Sequence, residues 1–307
     1  MLKKSLEERI VETLQNEGPK PRGYLEAEMV YAADIEPHQV TGALRALKAC
    51  NAVVASQIRN TGPGHGIDVY SIAPLTIDEL HDLEEWFAEY YDAFDRVELG
   101  KAGENYVRGL AIRSGAFESV PQRSRLGRIK VGTGRQVADL ILRRKARGKH
   151  PRLQSVIVEV KNRRSWCYSR SDLYAVLLSK ALLADAIPML CASHAPAEAR
   201  VFCKAIGIAL ITLDRQLAPK SRRRQIQKLR PVVGSRAIEF VGERFYQNSP
   251  LPSLAVRDLS RIGSTDWLDE IGATWLTNRI MVFESLRLPW WDARTSLLSS
   301  LGIASAG

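Results

Sequence analysis

Cysteine is scarce in this chain and badly spaced for metal or redox chemistry. The four residues, Cys50, Cys167, Cys191 and Cys203, include no C-x-x-C pair, so a zinc ribbon or a dithiol redox site has no support. Cys50, Cys191 and Cys203 lie in or beside apolar stretches and read as small buried hydrophobes. Histidine is equally sparse. His38, His65, His81, His150 and His194 show no H-E-x-x-H or paired spacing, which removes the zincin type of hydrolase. No G-x-x-x-x-G-K-[ST] occurs, and Gly-Thr-Gly at 132–134 is too short for a nucleotide loop, so no nucleotide cofactor is expected. No apolar run approaches the length of a membrane span. The opening MLKKSLEERIVETL has no apolar h-region. These absences lead us to expect no membrane partner and a reducing, cytoplasmic setting.

What the chain does have is positive charge. Its 307 residues hold 44 Lys and Arg against 34 Asp and Glu, a net of +10, with pI near 9.6. Such an excess points to a polyanionic partner, nucleic acid first. The alternative is a basic surface with no partner. Apolar residues at 45% and charged ones at 25% are ordinary globular composition, and the length suggests two domains.

The first 75 residues read as a small domain. Leu6, Ile10, Val11 and Leu14 have helical spacing over 5–16, and Leu25, Met29 and Val30 over 23–32. A third helix over 37–49 opens at Pro37, a favoured first position. It turns Val40, Leu44 and Leu47 inward. Two short strands around a Gly-rich turn follow, a hairpin pattern. Three helices and a hairpin are the order of a winged helix-turn-helix, whose third helix enters the major groove. Gln39, Thr41 and Arg45 are then the base-edge candidates, with Lys48 and Arg59 for phosphates. A module of this kind used only for protein contacts is the alternative. Residues 76–98 are acidic, with Leu80, Leu83, Trp86, Phe87, Tyr90 and Phe94 at helical spacing. They predict one long linking helix, read as a solvated face, a nucleic-acid mimic or a dimer contact.

The most informative stretch is Ser155-Val-Ile-Val-Glu-Val-Lys-Asn162, rich in β-branched residues and read as a central strand. Alternation puts Val156, Val158 and Val160 on one face and Ile157, Glu159 and Lys161 on the other. A carboxylate and an ammonium on a strand that otherwise reads as core are costly unless paired or bound to an ion. The bland alternative is an edge-strand ion pair. Twenty residues earlier, Gln136-Val-Ala-Asp-Leu-Ile-Leu142 reads as a second apolar strand carrying Asp139. Before both, a helix at 103–112 puts Glu104 on the same face as Val107 and Ala111.

The order Glu104, Asp139, Glu159-Val-Lys161 resembles the PD-(D/E)xK nuclease superfamily. Ala138 stands where the name-giving proline would be, a departure common in that superfamily. The resemblance implies that Asp139 and Glu159 hold Mg²⁺ (or Mn²⁺) and that Lys161 positions or activates the attacking water. It also implies that Glu104 adds to the metal site. The Val160 carbonyl, between the motif residues, is a further candidate ligand. Downstream, a helix at 171–185, a strand at 187–193, a helix at 196–206 and a strand at 208–214 look like the Mrr-like branch. Members of that branch often join a winged helix to this core.

Basic residues flank the motif: Arg123, Arg125, Arg128, Lys130 and Arg135 before it, a basic loop at 143–152, and Arg163, Arg164 and Arg170 after it with Trp166 and Tyr168 among them. Arginine beside aromatics suits nucleic acid, and Arg163 and Arg164 are further DNA candidates. A second basic run covers Lys220 to Arg230. Asp172 and Lys180 rank low as site residues. Residues 254–269 and 273–286 predict two helices, and Pro289-Trp-Trp starts a third segment. Trp267, Trp275, Trp290 and Trp291 read as mostly core.

The expected architecture is α/β. It has a winged helix over 1–75, an acidic helical linker over 76–98, a restriction-endonuclease-like αβββαβ core over 99–234 and a small helical extension over 235–307. The expected activity is Mg²⁺-dependent endonucleolytic cleavage of double-stranded DNA by a homodimer. The alternatives are a DNA-binding regulator that keeps the fold without cutting, or an effector nuclease acting on RNA or activated by a ligand.

Overall fold

The computed structural model describes residues 4–33, 35, 37–58, 67–93, 96–118, 125–126, 129–131, 137–145, 153–162, 173–193, 195, 197–213, 216–228, 238–241 and 261–303. The protein is mixed α/β. It divides into two compact units, one of Met1–Leu99, Arg163–Cys167 and Asp214–Val241, the other of Gly100–Asn162, Tyr168–Leu213 and Gly242–Gly307. Among the described residues no helix is long and apolar enough to cross a membrane.

The first unit opens with α1 (Leu6–Glu17). Ser5 Oγ accepts the Glu8 amide at 3.1 Å and the Glu8 carboxylate accepts the Ser5 amide at 2.7 Å, a capping box. A short β1 (Lys20–Pro21), α2 (Arg22–Ala33) and α3 (Pro37–Ala49) follow. Next come β2 (Val54–Ile58) and β3 (Ile67–Ser71), antiparallel partners from Val54↔Ser71 to Ile58↔Ile67. β1 adds to the far side of β3, giving the order β1-β3-β2. Ile10 and Leu14 of α1, Leu25 and Met29 of α2, and Val40, Leu44 and Leu47 of α3 meet in one core. The inward face expected for α3 is the one observed. Cys50 is exposed rather than buried. It lies just past the end of α3, where its Sγ donates to the Leu47 carbonyl at 3.3 Å.

The expected single helix over 76–98 is two. α4 (Ile77–Ala93) ends, and α5 (Arg96–Arg113) starts afresh. Thr76 caps α4, and its backbone and hydroxyl hydrogen bonds hold the Glu79 carboxyl below the usual carboxylate range. Leu80 and Leu83 pack on Ile58 and Val69, so one edge of the acidic helix is a core face. Residues 214–234, expected in the catalytic core, group instead with the first unit. There β11 (Gln216–Pro219) pairs in parallel with β12 (Ile238–Val241) across α8 (Arg223–Lys228). Leu99, Ala218, Ile226 and Ile238 form their own cluster.

The second unit is built on four strands, β7 (Leu140–Arg143), β8 (Ser155–Lys161), β9 (Ile187–Ala192) and β10 (Ala209–Thr212). Their order is β10-β9-β8-β7. β7 is antiparallel to β8, whereas β8, β9 and β10 are parallel. The parallel strands are joined through α6 (Leu173–Ala184) and α7 (Ala197–Ile206). Parallel strands covered on both faces read as continuous apolar runs, and β9, Ile-Pro-Met-Leu-Cys-Ala, is buried throughout. A small sheet of β4 (Arg125–Leu126), β5 (Ile129–Val131) and β6 (Val137–Ala138) precedes it.

The first helix expected near the C-terminus, 254–269, lies partly outside the described residues. Arg261 and Ile262 are helical, and after a break at Gly263 and Ser264 a new helix, α9 (Thr265–Ser285), runs across the break expected before 273 and is followed by α10 (Trp290–Ser300). Gly272, at the expected break, lies inside α9. A β-carbon there would meet Leu153 and Ile187 at 3.2 and 3.4 Å, so the glycine admits close packing. At Gly207 (φ +89°) a β-carbon would lie 2.4 Å from the Trp275 amide nitrogen, so α9 crosses directly over the α7–β10 turn. Trp275 is buried and Trp291 exposed. Residues 261–303, within the helical extension expected over 235–307, group with the sheet in the second unit.

Candidate active site

Asp139 sits in a break between β6 and β7 rather than inside one strand as expected. The β7–β8 ladder ends at Leu140↔Val158. Beyond that pair Asp139 Oδ2 accepts the Val160 amide at 2.6 Å, so a side chain takes over the strand's hydrogen bonding. A residue's N–H and C=O leave an extended strand on the same side. The Val160 carbonyl therefore faces the same edge as the Asp139 carboxylate.

Glu159 and Lys161 share a face of β8, as alternation requires. Lys161 Nζ stands 3.2 Å from Glu159 Oε2 and 4.0 Å from Asp139 Oδ2, bridging the two acids. The other Glu159 oxygen, Oε1, accepts from Lys180 Nζ of α6. The cluster has an open and a closed side. Asp139 and Lys161 are 19% and 21% exposed, whereas Glu159 and Lys180 are 5% and 4%. Lys180, a low-ranking candidate by sequence, touches Glu159. A signal for it exists: it is the only charged residue in Leu-Tyr-Ala-Val-Leu-Leu-Ser-Lys-Ala-Leu-Leu-Ala, a helix too apolar to leave a bare charge inside.

Glu104 arrives on α5, which packs tightly on the opposite face of β8. A β-carbon on Gly103 would meet the Asn162 Cβ at 2.9 Å and Val160 Cγ1 at 3.1 Å. The glycine thus sets how closely Glu104 approaches. Burial, and next the charge of Asp139, push the Glu104 carboxyl up to about 7, against the pull of Arg108 and Lys161. Asp139 is likewise held above the usual carboxylate range, by burial first and then by Glu159. Buried acids raised by a neighbouring carboxylate are a common mark of a functional site.

The sequence-predicted set Glu104, Asp139, Glu159, Val160 and Lys161 is thus brought into one neighbourhood. Among the described residues no three Asp, Glu, His or Cys side chains lie close enough to share one metal ion, which leaves Glu104 as a neighbour of the Asp139–Glu159 pair. In the first unit, Gln39, Arg45 and Lys48 are exposed on α3. Thr41, expected at a base edge, turns its hydroxyl to Glu26 of α2 at 3.1 Å. Arg59, Arg163 and Arg164 lie outside the described residues, as do Asp172 and most of the flanking arginines. The loop expected to be uniformly basic contains a buried member: Arg144 Nη1 donates to Asp269 Oδ1 at 2.7 Å and Nη2 to the Thr265 carbonyl at 3.3 Å. It anchors α9 to β7. In the second basic run Arg222 is engaged by Glu98 at 2.8 Å.

No protein-family model matches the chain. No curated protein and no solved structure gives a significant match either.

Proposed function

We propose that the chain is a metal-dependent endonuclease that hydrolyses phosphodiester bonds of double-stranded DNA. On this reading the second unit is a restriction-endonuclease-like core and the first carries a winged-helix reader. The order α5, β-strands, β8, α6, β9, α7, β10 supports the core assignment. The three-helix-and-hairpin order of the first unit supports the other. The observation that carries the reading is the meeting of Asp139, Glu159 and Lys161 at the end of the β7–β8 ladder, with Glu104 beside them.

The donors fit Mg²⁺ or Mn²⁺. They are all oxygen, from two carboxylates and a backbone carbonyl, and such hard ions retain waters in the remaining positions. Burial, with a neighbouring carboxylate second, holds Glu104 and Asp139 above the usual carboxylate range, as grouped acids with no cation among them would be. Asp139, Glu159 and the Val160 carbonyl would hold the ion, which supplies charge neutralisation at the phosphoryl oxygens and the leaving group. Lys161, on the open side, orients the attacking water and stabilises negative charge as it develops. Asp139 keeps its orientation through the Val160 amide. Gln39, Arg45 and Lys48 read or hold the duplex from α3, and a homodimer supplies one site per strand.

The test is incubation of the pure protein with supercoiled, linear, branched and single-stranded DNA, and with RNA, in Mg²⁺ or EDTA. Cutting of duplex DNA should need the metal. Asp139→Ala, Glu159→Ala and Lys161→Ala should each abolish it while leaving DNA affinity in EDTA largely intact. Full activity in EDTA would sink the assignment. A second reading, a DNA-binding regulator that does not cut, draws on the engagement of both Glu159 oxygens by lysines. It requires duplex binding with no cleavage in any metal. Cleavage confined to RNA would favour an effector nuclease.

A further inference from the structure

Lys180 is a charged group touching this site to which the nuclease reading gives no task. Its Nζ donates to Glu159 Oε1, while Lys161 Nζ holds Oε2 at 3.2 Å. Both oxygens of an acid needed for the ion are therefore engaged by ammonium groups. The two lysines are not equivalent. Lys161 is on the open side and also reaches toward Asp139, whereas Lys180 is 4% exposed and comes from a helix that is otherwise apolar.

The charges nearly cancel: Glu104, Asp139 and Glu159 stand against Lys161 and Lys180. A divalent cation added alone leaves a positive excess in a partly buried place, where Coulomb repulsion is strong. A DNA phosphate entering with the ion restores the balance. We propose that Lys180 is a positioning residue that couples metal binding to DNA binding, holding Glu159 in a neutral pair until a phosphate arrives with the ion. This inference rests on the nuclease reading above. Without the Lys180 charge, the cluster is one unit more negative and takes the ion unaided.

Mn²⁺ binding, followed by the electron paramagnetic resonance of the free ion, tests this without relying on activity. Wild type, Lys180→Gln and Lys180→Arg are compared with and without a short mixed-sequence DNA duplex. Asp139→Asn checks that the ion is at this site, and thermal melting checks each fold. Wild type should bind Mn²⁺ weakly alone and about tenfold or more tightly with duplex. Lys180→Gln should bind it about tenfold more tightly than wild type without DNA, and gain little from duplex. Lys180→Arg, which keeps the charge, should follow wild type. Equal affinities of wild type and Lys180→Gln in the absence of DNA would overturn the coupling and leave the nuclease reading standing. Mn²⁺ binding by none of the folded proteins in any condition would overturn both. A further readout needs no variant: with ¹⁵N-labelled lysine, the Lys180 ammonium resonance should move when Mg²⁺ and duplex are added together. A shift with Mg²⁺ alone, or none with both, would count against the proposal.

Discussion

Glu104 contributes to the folded protein a pH signature that a single substitution can read. Its carboxyl goes from an ordinary 4.5 to about 7 in the fold, by burial and the charge of Asp139. The folded state therefore holds that proton more tightly than the unfolded chain. The stabilising contribution is full below 4.5 and is lost as pH rises through about 7. Melting temperature followed across that window should fall in wild type, and the fall should be smaller in Glu104→Gln. Parallel curves for the two proteins would show that another group is responsible. Glu104 is legible in the sequence because an acid on the apolar face of a helix is anomalous. Arg144 is not. It sits in a run of basic residues and nothing local separates it from solvated neighbours, since its partner Asp269 is 125 positions away. Lys180 falls between the two: its apolar surroundings mark it as buried, but only β8 packed against α6 shows which acid it meets.

At the scale of elements, the joint between β7 and α9 rests on that buried pair, with Arg144 and Asp269 side chains 3% and 6% exposed. Removing one partner leaves the other charge buried and uncompensated. Arg144→Leu should cost about 3–5 kcal/mol of stability in denaturant unfolding, and Arg144→Leu with Asp269→Leu should recover most of it. If the single change is as stable as wild type, the pair does not hold α9. Strand and helix identities in the second unit are readable because β8 and β9 are largely apolar and α6 and α7 fill helical lengths between the strands. The breaks are less readable. Asp139 divides the expected strand because its carboxylate, rather than a backbone carbonyl, takes the Val160 amide. The acidic helix over 76–98 carries apolar residues at helical spacing across the point where α4 ends.

For the whole molecule, charge and symmetry are the testable properties. Arg45→Ala and Lys48→Ala should each weaken duplex binding similarly across sequences. Each phosphate that is no longer neutralised should make the dependence of log affinity on log salt shallower by about 0.9. Unchanged affinity and slope would remove α3 from the interface. A single Asp139–Glu159–Lys161 set serves one phosphate at a time, so double-strand cleavage calls for a second copy related by a two-fold axis. Light scattering should give two 34.3 kDa chains per duplex once the mass of the DNA is subtracted. A single-chain mass with nicking of one strand would exclude the dimer. The division of the chain has a different consequence, in the order of synthesis. The first unit closes only with β12, at Val241, because Leu99 packs against residues of β11, α8 and β12. By then every strand of the second unit's sheet has been synthesised, while α9, which covers it at Gly207 and Gly272, has not. A chain ended before β12 leaves both units unfinished, and one ended between β12 and α9 leaves the second unfinished. The nascent chain thus carries two incomplete cores at once, and a truncation anywhere before α9 leaves apolar surface bare.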